Sequence, residues 1–297
     1  MWIKNVAVYR SKESLEIESA AIEGKLKGRE FSPCKGHEKE KLGWVPVLGG
    51  VFAHSINGAI ILRVRKETRS VPSSVVQAEL SKQVALMESK GATEVSKQQK
   101  NAMKEKIVSD LLPRAFPKQK DSYLLIYPEA GMVCVEAGSW NEGDSITALL
   151  RGTLESLPVA PAMPSTAIET TITQWVKKSF VGPGFRLLDE VEISSAIESG
   201  STLRGVKQDL EDEKLIEHLK DGDKFVSRVT VEWRGSLSLM VCKDGLFRKL
   251  KWGDEIKDQN EDIPKADKVA RLDADLALVS GEWSSFIDEV YPELGGF

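Results

Sequence analysis

Hydrophobic and polar residues alternate most clearly in the carboxyl-terminal third of the chain. Residues 229–233 and 237–241 place apolar side chains at every second position, on either side of Arg234-Gly235. A second turn sequence, Asp244-Gly245, precedes a third run that ends at Trp252. A period of two is typical of strands with one buried face, and turns of this kind join antiparallel neighbours. The pattern predicts a three-stranded β-meander.

Similar patterns predict strands and hairpins in the first half of the chain. Residues 6–8 indicate a first strand. Asn57-Gly58 is a strong turn signal, and it precedes a compact apolar run over residues 59–64. Residues 123–127 and 132–135 have the composition of a second hairpin.

Segments with helical periodicity lie between these strands. The predicted helices cover residues 15–26, 144–157, 190–199, 209–222 and 269–290. Residues 168–172 alternate as in a strand, with Ile168, Thr170 and Ile172 on one side. Short helices and strands mixed with frequent hairpins are typical of α+β folds. We therefore predict mixed antiparallel sheets and helices.

Proline spacing predicts the main domain boundary. Pro158, Pro161 and Pro164 lie too close together for a helix or a central strand. We predict an amino-terminal α+β domain from residues 1–74 and 117–165, and a carboxyl-terminal α+β domain from residues 166–297. Residues 75–116 would form an inserted helical element.

The inserted element has the sequence of a helical hairpin. The first helix is predicted to begin after Pro72, with apolar residues at steps of four, four and three, at Val76, Leu80, Val84 and Met87. Ser96 and Gln99 fit a capping box for the second helix. That helix carries Met103, Ile107 and Leu111 and should end at Pro113.

Composition describes an ordinary globular protein, with 41% hydrophobic and 29% charged residues. No apolar run approaches the roughly 20 residues of a membrane-spanning helix, so we expect no membrane contact. The amino terminus has the pattern of a first strand rather than a signal peptide.

The three cysteines, Cys34, Cys134 and Cys242, lie far apart, which argues against a disulfide framework and a zinc site. We expect a cytoplasmic protein.

Positive charge is concentrated in one segment of the chain. Residues 63–120 contain thirteen Lys or Arg and six Asp or Glu, although the whole chain has a net charge of −4. Such asymmetry is expected of a surface that binds a polyanion. Lys97, Lys100 and Lys104 are spaced to share one helix face. A solvated lysine face would show the same spacing, but the excess over the whole segment favours contact with phosphates.

Motifs for catalysis are absent from the sequence. The three histidines, His37, His54 and His218, do not have the spacing of a metal pair or of a nucleophile's base. Residues 254–275 contain eight Asp or Glu, and two-metal nucleases assemble such carboxylates. Here they are interspersed with Lys and Arg, as on solvated helix faces. We expect no enzyme activity, no cofactor and no metal site, with a metal-dependent nuclease as the alternative.

Several motifs together resemble one known family. They are FSPC and LGWVP within residues 31–46, LLPRAFPK at 111–118, LLDE at 187–190, VKQDL at 206–210, DEIKDQNEDI at 254–263 and LDAD at 272–275. Their joint occurrence, in order from near the amino terminus to near the carboxyl terminus, resembles the bacterial recombination-associated RdgC family. No single motif would be specific.

The resemblance implies a fold and a function. Family members are ring-shaped homodimers of two horseshoe-shaped subunits, with positive charge around a central hole. They bind double-stranded DNA with little sequence preference, and they also bind single strands. They associate with the nucleoid and restrain strand exchange promoted by RecA. No enzymatic activity is implied, and an adaptor that acts directly on RecA is a further alternative.

The resemblance also implies site residues. The hairpin of residues 75–112 would be a finger that faces DNA, and a second finger would lie near residues 204–220. The expected DNA-binding residues are Lys97, Lys100, Lys104, Lys118, Lys120, Arg204, Lys207 and Gln208. Arg114 and Phe116 match a loop at the gate where subunits meet. From the residues alone, an ordinary core position is the better interpretation of Phe116, so the gate role rests on the resemblance.

Overall fold

The computed structural model describes residues 2–89, 95–197, 200–207, 210, 216–217, 219, 222–264 and 266–297. The chain divides into two compact units. The larger unit contains Met1–Gly28, Pro46–Arg63 and Tyr123–Phe297, and the smaller unit contains Arg29–Val45 and Val64–Ser122. Two long strands, β4 (Ala59–Thr68) and β5 (Lys118–Tyr127), contribute residues to both units.

The larger unit is built on an antiparallel sheet. Besides parts of β4 and β5, its strands are β1 (Val6–Arg10), β3 (His54–Ile56), β6 (Met132–Glu136), β7 (Ala160–Pro161), β8 (Phe185–Ser195), β9 (Thr202–Val206), β10 (Lys224–Trp233), β11 (Leu237–Cys242) and β12 (Phe247–Trp252). Their order is β4-β5-β6-β1-β12-β11-β10-β8-β9, with β3 on β4 and β7 on β1. The predicted α+β class is confirmed.

The hairpins predicted from alternation are confirmed. The meander pairs β10 with β11 and β11 with β12, and β5 pairs with β6. Strands β3 and β4 join through Asn57 and Gly58, which both adopt positive φ, as the favoured two-residue hairpin turn requires.

Helices cover one face of this sheet and part of the other. Within the described residues, the larger unit has the helices α1 (Ser19–Lys27), α4 (Trp140–Leu154), α5 (Ile168–Lys178), α6 (Asp254–Asp258) and α7 (Lys268–Glu293). Trp175 of α5 and Phe286 of α7 share a buried core with Val231 and Phe247 of the sheet. On the other face, α4 contacts β1, where Tyr9 donates a hydrogen bond of 2.8 Å to Asp144.

Two secondary-structure predictions were wrong. Residues 168–172 belong to helix α5, because the buried side chains are Ile168, Ile172, Trp175 and Val176, which have helical spacing. Residues 190–195 belong to strand β8, where buried Val191 and Ile193 alternate with half-exposed neighbours. In both cases the correct period emerges only when the buried positions of the whole element are considered.

Other helix predictions differ mainly at their ends. Helix α1 begins at Ser19 rather than at residue 15, and α4 covers Trp140–Leu154 rather than 144–157. Helix α7 confirms the predicted carboxyl-terminal helix. The helix predicted over residues 209–222 lies largely outside the described residues.

The smaller unit contains the predicted helical hairpin. Helices α2 (Ser73–Ser89) and α3 (Lys97–Leu111) pack through a cluster of Val76, Leu80 and Ile107. The capping box is present, since Gln99 N–H donates to the Ser96 hydroxyl and Ser96 N–H donates to the Gln99 side chain. Met87, the last of the four apolar residues at helical spacing in α2, is 40% exposed.

The smaller unit also contains strand β2 (Glu40–Val45), parts of β4 and β5, and a short 3₁₀ turn at Leu112–Arg114. Residues of two motifs meet here, because Phe31 N–H donates to the Trp44 carbonyl at 2.8 Å. A Cβ on Gly43 would collide with the Phe31 backbone, so this close approach requires glycine.

Cys34, Cys134 and Cys242 are buried free thiols. Among the described helices, none combines the length and hydrophobicity that a membrane crossing would require.

Candidate nucleic-acid interface

Three lysines of helix α3 form a stripe of positive charge. Lys97 and Lys104 are exposed, and Lys100 is half-buried. Within the described part of the chain, none of the three forms an ion pair with a carboxylate. At steps of three and four the ammonium groups repel one another, which costs a helix a few tenths of a kcal/mol per pair. Helix stability therefore does not explain the stripe.

The stripe continues the packed side of the same helix. Lys100 lies seven residues before buried Ile107, and Lys104 lies seven residues before half-buried Leu111. Positions seven apart are nearly aligned on a helix, since two turns take about seven residues. Near the carboxyl end of α3, this side of the helix therefore packs on α2. Toward the amino end of α3, near Ser96, the same side carries the lysines.

Other cations of the basic segment are neutralised within the smaller unit. Arg65 makes a two-pronged contact with Asp121, at 2.6 and 2.9 Å. Lys66 pairs with Glu40 at 2.8 Å. The charge excess counted along the sequence is therefore smaller around β4. The lysines of α3 carry much of the remaining positive charge of residues 63–120.

The loop after α3 exposes an aromatic ring. Phe116 is 94% exposed and lies between Pro113 and Pro117, so its interpretation as an ordinary core residue is wrong. Arg114 is exposed in the 3₁₀ turn. Lys118 and Lys120 are exposed on the first residues of β5.

A second group of cations surrounds one carboxylate in the larger unit. Glu190 of β8 accepts two hydrogen bonds from Lys249, at 2.8 and 2.5 Å, and lies 3.6 Å from Arg204 of β9. The hydrogen bonds from Lys249 hold the pKa of Glu190 below its ordinary value, against the opposing effect of burial. Lys251 adds to the same field. Three cations therefore share one anion.

Two predicted residues lie just beyond this group. Lys207 is exposed with a φ of 55°, and it follows Val206, which pairs with Glu190 across β8 and β9. Gln208 lies outside the described residues.

Sequence reasoning missed Lys249 and Lys251. Both lie on β12, more than forty residues after Arg204, and the Lys249 side chain reaches Glu190 of β8 although β11 and β10 lie between the two strands. A signal was present, because both lysines alternate with buried Leu250 and Trp252 and so belong to the opposite face of the strand.

Four of the eight acidic residues between 254 and 275 have separate side-chain contacts in the described chain. Asp267 accepts a hydrogen bond from Ala270 N–H at the start of α7, and Asp273 lies 2.7 Å from His54. Asp275 accepts from Asn260, and Asp254 from Lys257. Within the described ranges, no three His, Cys, Asp or Glu side chains are grouped as a metal ion would require.

Comparison with known proteins identifies the family. A family model described as "Putative exonuclease, RdgC" matches residues 1–297. The chain belongs to the RdgC family. Relatives named "Recombination-associated protein RdgC" from Salmonella paratyphi B, Salmonella schwarzengrund and Salmonella agona are each 35% identical over 299 residues, covering 100% of this chain and 98% of theirs. The resemblance inferred from the motifs is confirmed.

Membership of the RdgC family suggests a role in recombination. The names of the relatives indicate no catalytic activity, whereas the family description mentions an exonuclease. These statements concern the family as a whole, and they do not assign a task to any residue of α3, β5 or β9.

Proposed function

We propose that this RdgC-family chain is a DNA-binding protein that acts in recombination without reading base sequence. The observation that carries the proposal is the stripe of Lys97, Lys100 and Lys104, which has no carboxylate partner in the described chain. Lysines that contact phosphates release condensed counterions, and this gives affinity for any duplex or single strand. The cations around Glu190 would add a second contact region.

We further propose that two horseshoe-shaped copies form a ring-shaped homodimer around the duplex. Phe116 supports this, because a large aromatic side chain that is 94% exposed is typical of a binding hot spot. Arg114 in the preceding turn would contribute to the same interface. Enclosure would prevent sideways dissociation, so a nucleoid-associated ring could block RecA filaments and inhibit strand exchange.

The first prediction concerns how the affinity for DNA depends on salt concentration. If three lysines from each of two copies contact phosphates, the logarithm of the association constant should fall with the logarithm of salt with a slope of about −5 or steeper. Fluorescence anisotropy with several unrelated duplexes, between about 50 and 200 mM NaCl, measures it. The affinities should be nearly equal at each salt concentration. A flat salt response, or strong preference for one duplex, would contradict the proposal.

The second candidate function is a metal-dependent nuclease, which the family description favours. The contacts of Asp254, Asp267, Asp273 and Asp275 argue against it, because each of these four carboxylates already has a partner in the fold.

We predict that linear and circular duplexes both stay intact when incubated with the protein and Mg²⁺ or Mn²⁺. Gel electrophoresis checks this. Loss of linear DNA that EDTA prevents would support the nuclease instead.

A further inference from the structure

Glu67 is a buried carboxylate in the smaller unit. Its exposure is 1%, and it is the one charged residue among the buried residues that the structure describes. Acidic side chains are almost never fully buried unless they are paired, because desolvating a charge costs free energy. A charged side chain at this position therefore requires contacts that compensate for the lost hydration. Its presence also suggests a role that an apolar residue could not fill.

Both oxygens of Glu67 accept hydrogen bonds. One accepts from the Cys34 backbone N–H at 2.9 Å, and the other from the Gln119 side chain at 2.7 Å. The bond from Gln119, followed by the bond from Cys34, holds the pKa of Glu67 below its ordinary value despite burial. The carboxylate is therefore ionised at neutral pH and joins the end of β4 to the start of β5.

The two residues after Glu67 contact the same loop. Thr68 donates to the Lys118 carbonyl at 3.4 Å. Arg69 donates to the Pro113 carbonyl at 3.5 Å and to the Cys34 carbonyl at 3.3 Å. Three consecutive residues of the chain thus hold the loop on both sides of Phe116, at Pro113 on one side and at residues 118–119 on the other.

Phe116 depends on these backbone contacts for its position. At 94% exposure its ring has almost no packing within the chain, so side-chain contacts do not orient it. Pro113 and Pro117 fix two φ angles, and Pro117 restricts Phe116 to extended backbone, but neither proline anchors the loop to the rest of the unit. A loop that is already ordered loses less conformational entropy when it binds a partner.

We infer that Glu67 and Arg69 are positioning residues that hold the Phe116 loop ready for contact with a second copy of this chain. The inference rests on the proposed homodimer. It assigns a role to the buried carboxylate that burial alone does not explain, since an apolar side chain would fill the same space without the desolvation cost.

A double-mutant cycle between Glu67→Gln and Phe116→Ala tests the inference. Glu67→Gln keeps the shape of the side chain, removes its negative charge and replaces one acceptor oxygen with an amide nitrogen. The dimer dissociation constant, from sedimentation equilibrium, should rise about three- to tenfold in the otherwise unchanged protein and by less than about twofold in the Phe116→Ala background. Glu23→Gln is the matched control, because Glu23 accepts from the Phe52 and Ala53 backbones in the larger unit. It should leave the constant unchanged.

Equal increases in both backgrounds would overturn the inference, since they would indicate a general loss of stability. If Phe116→Ala leaves the dimer unchanged, the proposed gate fails, and hydrogen exchange then decides the role of Glu67 separately. In Glu67→Gln the amides of Ala115 and Lys118 should exchange about tenfold faster, while those of α3 keep their rates. Unchanged exchange at both amides would show that Glu67 does not order the loop.

Discussion

Replacing Lys97, Lys100 and Lys104 together with Glu is expected to lower the affinity for duplex DNA by about 100-fold or more near physiological salt. The variant loses three cations that have no carboxylate partner in the described chain, and it places three anions on the same helix face. Because each lost phosphate contact reduces the salt slope by about one, that slope should also become shallower. Anisotropy titrations over a salt series measure both effects.

The control changes the net charge equally at other sites. Lys12, Lys27 and Lys178 are exposed in the larger unit, and their replacement by Glu alters total charge by the same amount. Affinity should fall much less in this variant. If both variants lose affinity equally, long-range charge and not the α3 stripe is responsible.

The same variants separate DNA coating from an adaptor that acts on RecA directly. A protein that inhibits by covering DNA should stop inhibiting RecA-promoted strand exchange once the three lysines of α3 are reversed. An adaptor would still inhibit. Retained inhibition together with lost DNA binding would contradict the proposed function.

Replacing Phe116 with Ala is expected to raise the dimer dissociation constant by about 100-fold or more. Burying a Phe side chain contributes roughly 1.5–3 kcal/mol, and a symmetric interface loses two of them. The thermal stability of the separated chain should stay the same, because the ring is 94% exposed. Sedimentation equilibrium measures the constant, and retention on circular DNA should fall with it.

Phe180→Ala provides the matched control. Phe180 is 59% exposed in the larger unit, so the same substitution removes an exposed ring there, although a smaller exposed area than at Phe116. Neither dimerisation nor retention on circular DNA should change. If Phe116→Ala also leaves both unchanged, the assignment of its loop to the interface is wrong.

Local sequence signals predicted most of the strands and the helical hairpin. The meander and the Ser96–Gln99 capping box depend on residues within a few positions of each other, and both are present. The errors at 168–172 and 190–195 arose where short apolar runs fit either period. There the packing against the sheet core decides between helix and strand.

The candidate site was predictable only where its residues are neighbours in sequence. The α3 lysines share one helix, so their common face follows from spacing alone. The contacts of Glu67 with Cys34 and Gln119 span 33 and 52 positions, and no periodicity reports them. The same holds for Lys249 beside Glu190 and Arg204, because these residues are far apart in sequence and the Lys249 side chain passes two intervening strands to reach Glu190.

If the proposed DNA binding is correct, the carboxylate of Glu190 has a consequence for how the protein moves along the duplex. A phosphate that approaches Lys249 must compete with Glu190 for the ammonium group, so the exchange of one anion for another yields little net free energy. We expect such a patch to guide the duplex without fixing it at one position. Successive phosphates could then pass the lysine with low barriers, and the bound protein would remain free to translocate.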